Sequence, residues 1–380
     1  MSSASVSAFR ADVPDDAPTI ERIETEVVRV PLHTPFVTSL RTTQFAETLV
    51  VRLTDSDGVV GWGEAPQVWQ VTGDSIAGSQ ACFDGPLGEA LLGMPAVYAS
   101  AMRIQDAVAG NNAAKMAADI ALHDILARRA GVTMAEHLGS LLQHPPRLAP
   151  TITTDMTLSL DEPDAMAAAA VARVADGFTT LKLKVGRDVE TDIARVRAVR
   201  EAVGPDITLR ADANQGWESA KVAVAAIQGM TPFDLELIEQ PNHRRQYHAL
   251  ADVRKRVGVP VMVDEAVFDL YDLREVTRFH AADAVNIKLA KTGGLTMALT
   301  MVAVARAHGL RVMIGCMMES ALGIGAAASL VAARELDGAH DLDAGWWAAR
   351  SPYAGGVAYD GPTITLSAEP GLGITALEAL

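Results

Sequence analysis

TLKLKVG, residues 180–186, sets two lysines, Lys182 and Lys184, at alternate positions of a short apolar run. In a strand that spacing puts both on one face, with Leu181, Leu183 and Val185 on the other. Four similar runs follow, each carrying a polar, chemically useful group near its end: TLRADANQ with Asp212, LELIEQP with Glu239, VPVMVDEA with Asp264 and DAVNIKLAKTGG with Lys288. From Lys184 the steps are 28 (212−184), 27 (239−212), 25 (264−239) and 24 (288−264) residues. Each step is the length of a strand, a helix and two loops. Five polar groups at successive strand ends describe the C-terminal rim of a closed parallel barrel. An open doubly wound sheet would not gather five successive strand ends around one point.

Outward from this stretch the strand–helix rhythm starts near residue 149. It adds the strand candidates PTITTDMTLS, LRVMIGCMM and a short one ending in HDLDAG, which makes eight. Earlier, TIERIETEVVRVPL (19–32), AETLVVRLT (46–54) and GVVGWGEA (58–65) read as strands, with SDG (56–58) as a turn. From about 75 to 140 the pattern turns helical, and NAAKMAADIALHDILARRAG runs to a C-cap at Gly131. The expected fold is therefore α/β. Residues 1–17 are a loose tail, 18–145 an α+β cap, 146–350 the barrel, and 351–380 a segment that packs back on the cap.

The 380 residues suit a barrel plus a second domain, and 49% hydrophobic content supplies a large core. A net charge of −15 argues against nucleic acid or an anionic membrane surface as partner. Two cysteines, Cys82 and Cys316, give no disulfide framework and fit a reducing cytoplasm. There is no uncharged apolar run of membrane-spanning length, and no basic start followed by an apolar stretch. The expected location is cytoplasmic. Assembly into a homo-oligomer is left open.

Asp212, Glu239 and Asp264 are hard oxygen donors, a set that suits Mg²⁺ rather than zinc. Inward-facing Lys182 and Lys184 need negative charge nearby, which those carboxylates and an anionic substrate would supply. The charge of Lys182 would favour the neutral form of Lys184 that a base requires. Across the array stand Lys288 and Lys291, and Lys288, inside the strand, is the better candidate. A metal between two lysines implies proton removal next to a carboxylate from one face and return to the other, which is racemisation or epimerisation.

At these motifs (KLK, DANQ, EQP, DE and NIKLAKTGG) the chain resembles the enolase superfamily, muconate-lactonizing subgroup, over nearly all of residues 19–380. The resemblance implies an α+β capping domain on a modified barrel, (β/α)7β. It implies Mg²⁺ on Asp212, Glu239 and Asp264, with Lys184 and Lys288 as the acid/base pair. Lys182 and Asn214 become electrostatic helpers, and Glu319 a group that orients Lys288 or the metal shell.

Within the subgroup, Asp341 and Asp343 in HDLDAG resemble the DxD motif of dipeptide epimerases, whose carboxylates hold a free α-ammonium. TPFVTSLRTTQFAETLVVRL (34–53) resembles the specificity loop of L-Ala-D/L-Glu epimerases, with Arg41 at the place of the arginine that takes the glutamate carboxylate. WGEAPQVWQVTGDS (62–75) matches the second capping loop. The expected activity is a dipeptide epimerase in murein peptide recycling. The rivals are an N-acylamino-acid racemase or muconate-type cycloisomerase, and a non-catalytic metal or peptide binder. Two departures stand out: Ala266, where serine is common, and Trp346 with Trp347, where close relatives carry smaller aliphatics. Those indoles either reshape the pocket or pack in the core.

Overall fold

In the computed structural model, which describes residues 14, 16–37, 42–141 and 150–378, an antiparallel meander comes first. Its strands are β1 (Ile20–Val37), β2 (Thr42–Asp55) and β3 (Val60–Pro66). The β1–β2 hairpin runs further than the sequence implied, with Phe36 opposite Thr43 and Val37 opposite Thr42. Arg41 lies outside the described residues, as does most of the tail expected over 1–17. The helix Asn112–Ala130 ends as expected at Gly131, whose φ is 67°. It lies so close on β3 that a Cβ at Gly63 would fall 1.9 Å from the Ala117 carbonyl oxygen. A glycine is the only residue that fits there.

The barrel follows. The expected strand PTITTDMTLS is two strands, β4 (Thr151–Thr153) and β5 (Met156–Leu158). They belong to different sheets, which is why the run breaks at Thr154 and Asp155. β5 starts the parallel sheet, continued by β6 (Thr180–Lys184), β7 (Thr208–Asp212), β8 (Leu235–Glu239), β9 (Val261–Val263), β10 (Ala284–Lys288) and β11 (Arg311–Gly315). Neighbours in sequence are neighbours in the sheet throughout. The eighth strand is reduced to two parallel bridges, His340 with Thr154 and Asp341 with Gly315. Its hydrogen bonds close the ring: Asp341 N–H donates to Ile314 O at 3.1 Å, and Asp155 N–H to His340 O at 2.7 Å.

Helices cover the outside of this sheet, so outward positions such as Leu181, Leu183, Leu209 and Ile238 are fully buried. Inside, Leu237, Met262, Ala284 and Met313 form a small apolar layer of their own. Beside it the Arg210 guanidinium bonds Asp155 at 2.8 Å and Glu236 at 2.7 Å. This layer plugs the barrel below the lysines and carboxylates.

β12 (Tyr353–Gly355), β13 (Ala358–Asp360), β14 (Thr363–Thr365) and β15 (Ile374–Leu377) end the described chain. β14 pairs with β4, while Gly371 and Leu372 bond Val132, Met134 and Asp124 of the cap. The cap is also tied to the barrel by Glu64. That carboxylate accepts bonds from Ser320 N, Ser320 Oγ and Gly323 N at 3.1, 2.6 and 2.7 Å, at the start of the helix Ala321–Ala333.

Candidate active site

The sheet brings the sequence-derived residues together at the C-terminal ends of its strands. Lys184 is in register with Asp212, and Asp212 with Glu239. Lys184 Nζ stands 2.6 Å from Asp212 Oδ2. Lys182 Nζ lies one layer deeper, 2.9 Å from Asp341 Oδ2 and 3.3 Å from Asp212 Oδ2. It is also 2.7 Å from Glu239 Oε2, an ion pair by distance but off-angle for a hydrogen bond. On the opposite side Lys288 Nζ is 3.0 Å from Asp264 Oδ2 and 3.6 Å from Asp341 Oδ2. All of these side chains are buried.

Burial opposes the charge on Lys182, but Asp341, Glu239 and Asp212 outweigh it and hold its pKa well above the ordinary lysine value. Lys288 is raised in the same way, with Asp264 and Asp341 overcoming desolvation. Asp264 and Asp341 pay the same desolvation and are nonetheless pulled below the usual carboxylate range, by Lys288 and Lys291 in one case and Lys182 and Lys288 in the other. Glu239 goes up, because burial and its acidic neighbours exceed the help from Lys182.

Several holders carry no role read from the sequence, where Lys291 stands across the array but Lys288 is the preferred candidate. Lys291, fully buried, donates to Asp264 O at 2.6 Å, to Asn286 O at 2.8 Å and to Asp264 Oδ1. Asn286 Nδ2 reaches Glu239 Oε1 at 2.9 Å and Asp341 Oδ2 at 3.2 Å. Period-two alternation could have found Asn286, because it lies two residues before Lys288. Gln240 Oε1 accepts from Asp264 N and Ala266 N. Glu265 is driven up to about 8 by burial and by Asp264 and Asp212.

The residues around them behave as follows. Asn214 sits in left-handed backbone, φ 42°, which turns its N–H onto Asp212 Oδ1 at 2.8 Å and its Nδ2 toward Asp212 Oδ2 at 3.2 Å. Glu319 Oε1 takes the Met317 N–H at 2.8 Å, and among the described residues Glu319 makes no hydrogen bond to Lys288. Burial first, then Glu64, raises Glu319 to about 8. Asp343 Oδ2 accepts from Thr157 N at 2.8 Å and Trp347 Nε1 at 3.2 Å.

These groups surround one cleft. Lys184, Asp264, Lys288, Asp341 and Asp343 line it, and the cap adds Phe36 and Val71 from the two loops that the sequence marked. Met317 and Met318 complete the wall. Among the described residues no three acidic, histidine or cysteine side chains stand together in metal-holding geometry, and each carboxylate is tied to an ammonium instead. The donor chemistry nonetheless fits a hard divalent cation: three carboxylates on consecutive strand ends, with no thiol or imidazole among them. Buried oxygens Asn214 Oδ1 and Glu265 Oε2, beside the set, have no hydrogen-bond partner.

The chain's relatives share this architecture. Residues 165–380 match the family model "Enolase C-terminal domain-like", and residues 22–139 match "Mandelate racemase / muconate lactonizing enzyme, N-terminal domain". Over 360 residues the chain is 41% identical to the L-Ala-D/L-Glu epimerase of Bacillus subtilis, covering 93% of this chain and 96% of that protein. The substrate-liganded complex of that epimerase superposes with a TM-score of 0.90, at 41% identity, covering 95% of this chain and all (100%) of that one. The dipeptide epimerase of Enterococcus faecalis, complexed with Mg and L-Leu-L-Tyr, gives 0.86 at 36% identity, covering 94% of this chain and 100% of that one. This chain belongs to the mandelate racemase/muconate lactonizing branch of the enolase superfamily.

Proposed function

We propose that this protein is an isomerase, a Mg²⁺-dependent dipeptide epimerase that inverts the α-carbon of the second residue, with L-Ala-D/L-Glu as its substrate pair. The observation that carries the reading is the placement of Lys184 and Lys288 on opposite sides of one cleft, with Asp341 and Asp343 on the same rim. The relatives named above support the reaction class.

Lys184 and Lys288 face the two sides of the substrate α-carbon. In either direction one, neutral, takes the α-proton while the other, as ammonium, delivers a proton to the opposite face. Asp264 and Asp341 already impose the ammonium form on Lys288, the form a donor needs. Lys182, below them, adds positive potential where negative charge builds. Asp212, Glu239 and Asp264 would hold the divalent cation, which when bound supplies positive charge to the substrate carboxylate. Asn214 keeps Asp212 oriented, and Glu319 braces the Met317 turn. Asp341 and Asp343 receive the α-ammonium, and Arg41 the side-chain carboxylate. Residues 18–145 act as the cap and 146–350 as the barrel, with 351–380 fastening one to the other. The setting is cytoplasmic recycling of murein peptides, with a small dipeptide rather than nucleic acid or membrane as partner.

Proton NMR of L-Ala-L-Xaa dipeptides in D₂O with enzyme and Mg²⁺ tests this. Loss of the Xaa α-proton signal, fastest for Glu, is the expected result. Faster exchange with another Xaa moves the specificity. No exchange with any dipeptide, together with turnover of N-acylamino acids or muconate, overturns the dipeptide reading.

A further inference from the structure

Trp347 lines a side cavity and, on its other side, backs two residues of the cleft wall. Its indole Nε1 donates to Asp343 Oδ2, and its ring meets Phe36 edge-on at 5.3 Å between centroids; Asp343 and Phe36 both line the cleft. Its other boundary is a side cavity of about 300 Å³, lined with Trp347 by His33, Thr34, Ser159, Asp161 and Arg173. The cleft itself holds only about 70 Å³. Thr157 lines both spaces, and its N–H holds Asp343. Trp347 thus stands between the side cavity and the cleft residues Asp343 and Phe36.

The indole is braced there. His33 stacks on Trp347 at 5.4 Å with the planes 17° apart, and Trp346 meets it edge-on at 5.6 Å. Trp346 is in turn clamped by the Arg173 guanidinium, 4.4 Å over its ring, and by Phe178 at 5.9 Å. A wall with three aromatic neighbours, one of them itself clamped, does not swing aside cheaply.

We infer that Trp347 sets the size limit for the first residue of the dipeptide, restricting it to glycine or alanine and sealing the side cavity from the substrate. The inference rests on the epimerase reading, in which the first residue's ammonium is held by Asp341 and Asp343. A residue anchored there has its side chain beside the indole that bonds Asp343. Trp347 is a positioning and size-selecting residue, not a catalytic one.

The test is α-proton exchange in D₂O across Gly-, L-Ala-, L-Leu- and L-Phe-L-Xaa, with Xaa fixed as the residue that the wild type exchanges fastest. In the wild type, kcat/KM for L-Ala should exceed that for L-Leu by at least about tenfold, since excess methylenes in a closed apolar pocket discriminate by about 10–200-fold. Trp347→Leu and Trp347→Ala should open the cleft into the side cavity and bring the ratio to about one or invert it. Trp347→Phe keeps the wall without the donor to Asp343, so it should keep the size limit and raise KM. A lost fold would lower all four rates together and could not reverse their order. A wild type that takes L-Leu or L-Phe first as readily as L-Ala overturns the inference without any variant. So does an unchanged ratio in folded Trp347→Leu, and either result leaves the epimerase reading intact. Failure of every dipeptide to exchange in the wild type sinks that reading and this inference with it.

Discussion

Replacing Lys291 with methionine separates the support of the site from its chemistry. The ammonium of Lys291 is fully buried and spends its donors on Asp264 Oδ1, Asp264 O and Asn286 O. Methionine keeps the length and removes the charge. Breaking a buried ion pair from one side costs about 3–5 kcal/mol, because the partner is left charged and dry. Two facts pull the figure to the low end. Asp264 keeps Lys288 at 3.0 Å, and its carbonyl keeps the Val267 N–H at 3.1 Å. Burial also pushes the Lys291 pKa below the ordinary lysine value despite Asp264, so the variant recovers part of a desolvation cost. Against that, the Asn286 carbonyl loses a donor, worth about 1–3 kcal/mol when a buried acceptor goes unmet. The expected net loss is about 3 kcal/mol, read from urea unfolding as a lower midpoint at unchanged slope. Exchange of the substrate α-proton should persist, slower and with a higher Mg²⁺ requirement, because Asp264 is less well held. A loss below about 1 kcal/mol, or a gain, would mean that Lys291 does not carry Asp264.

Other outcomes follow from the same geometry. Lys184→Ala and Lys288→Ala should each lower epimerisation by at least about 10²–10⁴-fold while leaving exchange from one epimer, and normal turnover in either would end the two-base reading. Chelation should abolish activity and added Mg²⁺ restore it; full activity in the metal-stripped protein would remove Asp212, Glu239 and Asp264 from their assigned role. Arg41→Ala should erase the preference for Ala-Glu over Ala-Leu, and an intact preference refutes that assignment. The buried pair His123 and His137, 2.9 Å apart, is pushed by burial from 6.5 to about 4. Both are neutral when folded and charge on unfolding, so their contribution is full above pH 6.5 and is lost as pH falls through about 4. Each adds a slope of up to about 1.4 kcal/mol per pH unit. His137→Phe should flatten the fall in urea midpoint between pH 7 and 5, and an unchanged slope would show that the pair does not titrate this way.

The barrel and its five polar strand ends were legible because a strand repeats every two residues. Lys182 and Lys184, or Asp212 and Glu239, need only their own run and a neighbour in register to be placed. The rule lapses where the strand stops. Lys291 comes three residues after Lys288, on the short helix Leu289–Thr292, and its side chain folds back under Asp264. No local pattern signals that return. Glu64 and Ser320 meet across 256 positions, through packing that no short-range signal encodes.

HDLDAG shows how far the alternation can be trusted. Spacing of two puts Asp341 and Asp343 on one face, and both do line the cleft. Yet the eighth strand consists of two bridges, at His340 and Asp341, so Asp343 already lies beyond it. Their surroundings diverge accordingly. Asp341 is held well below the usual carboxylate range by Lys182, Lys288 and Lys184, against the cost of its burial. Asp343 is raised by burial and by Asp341, and its two hydrogen bonds both fall on Oδ2. In the proposed reading a substrate ammonium would gain more at Asp343, whose charge no lysine neutralises at contact distance among the described residues, than at Asp341, where it would share with Lys182 and Lys288. Asp343→Asn should therefore raise KM for a dipeptide more than Asp341→Asn does. Asp341→Asn should fall mainly on kcat, because it frees Lys182 and Lys288 from the carboxylate between them. The reverse split would mean that the two aspartates act as the equivalent pair their spacing implies.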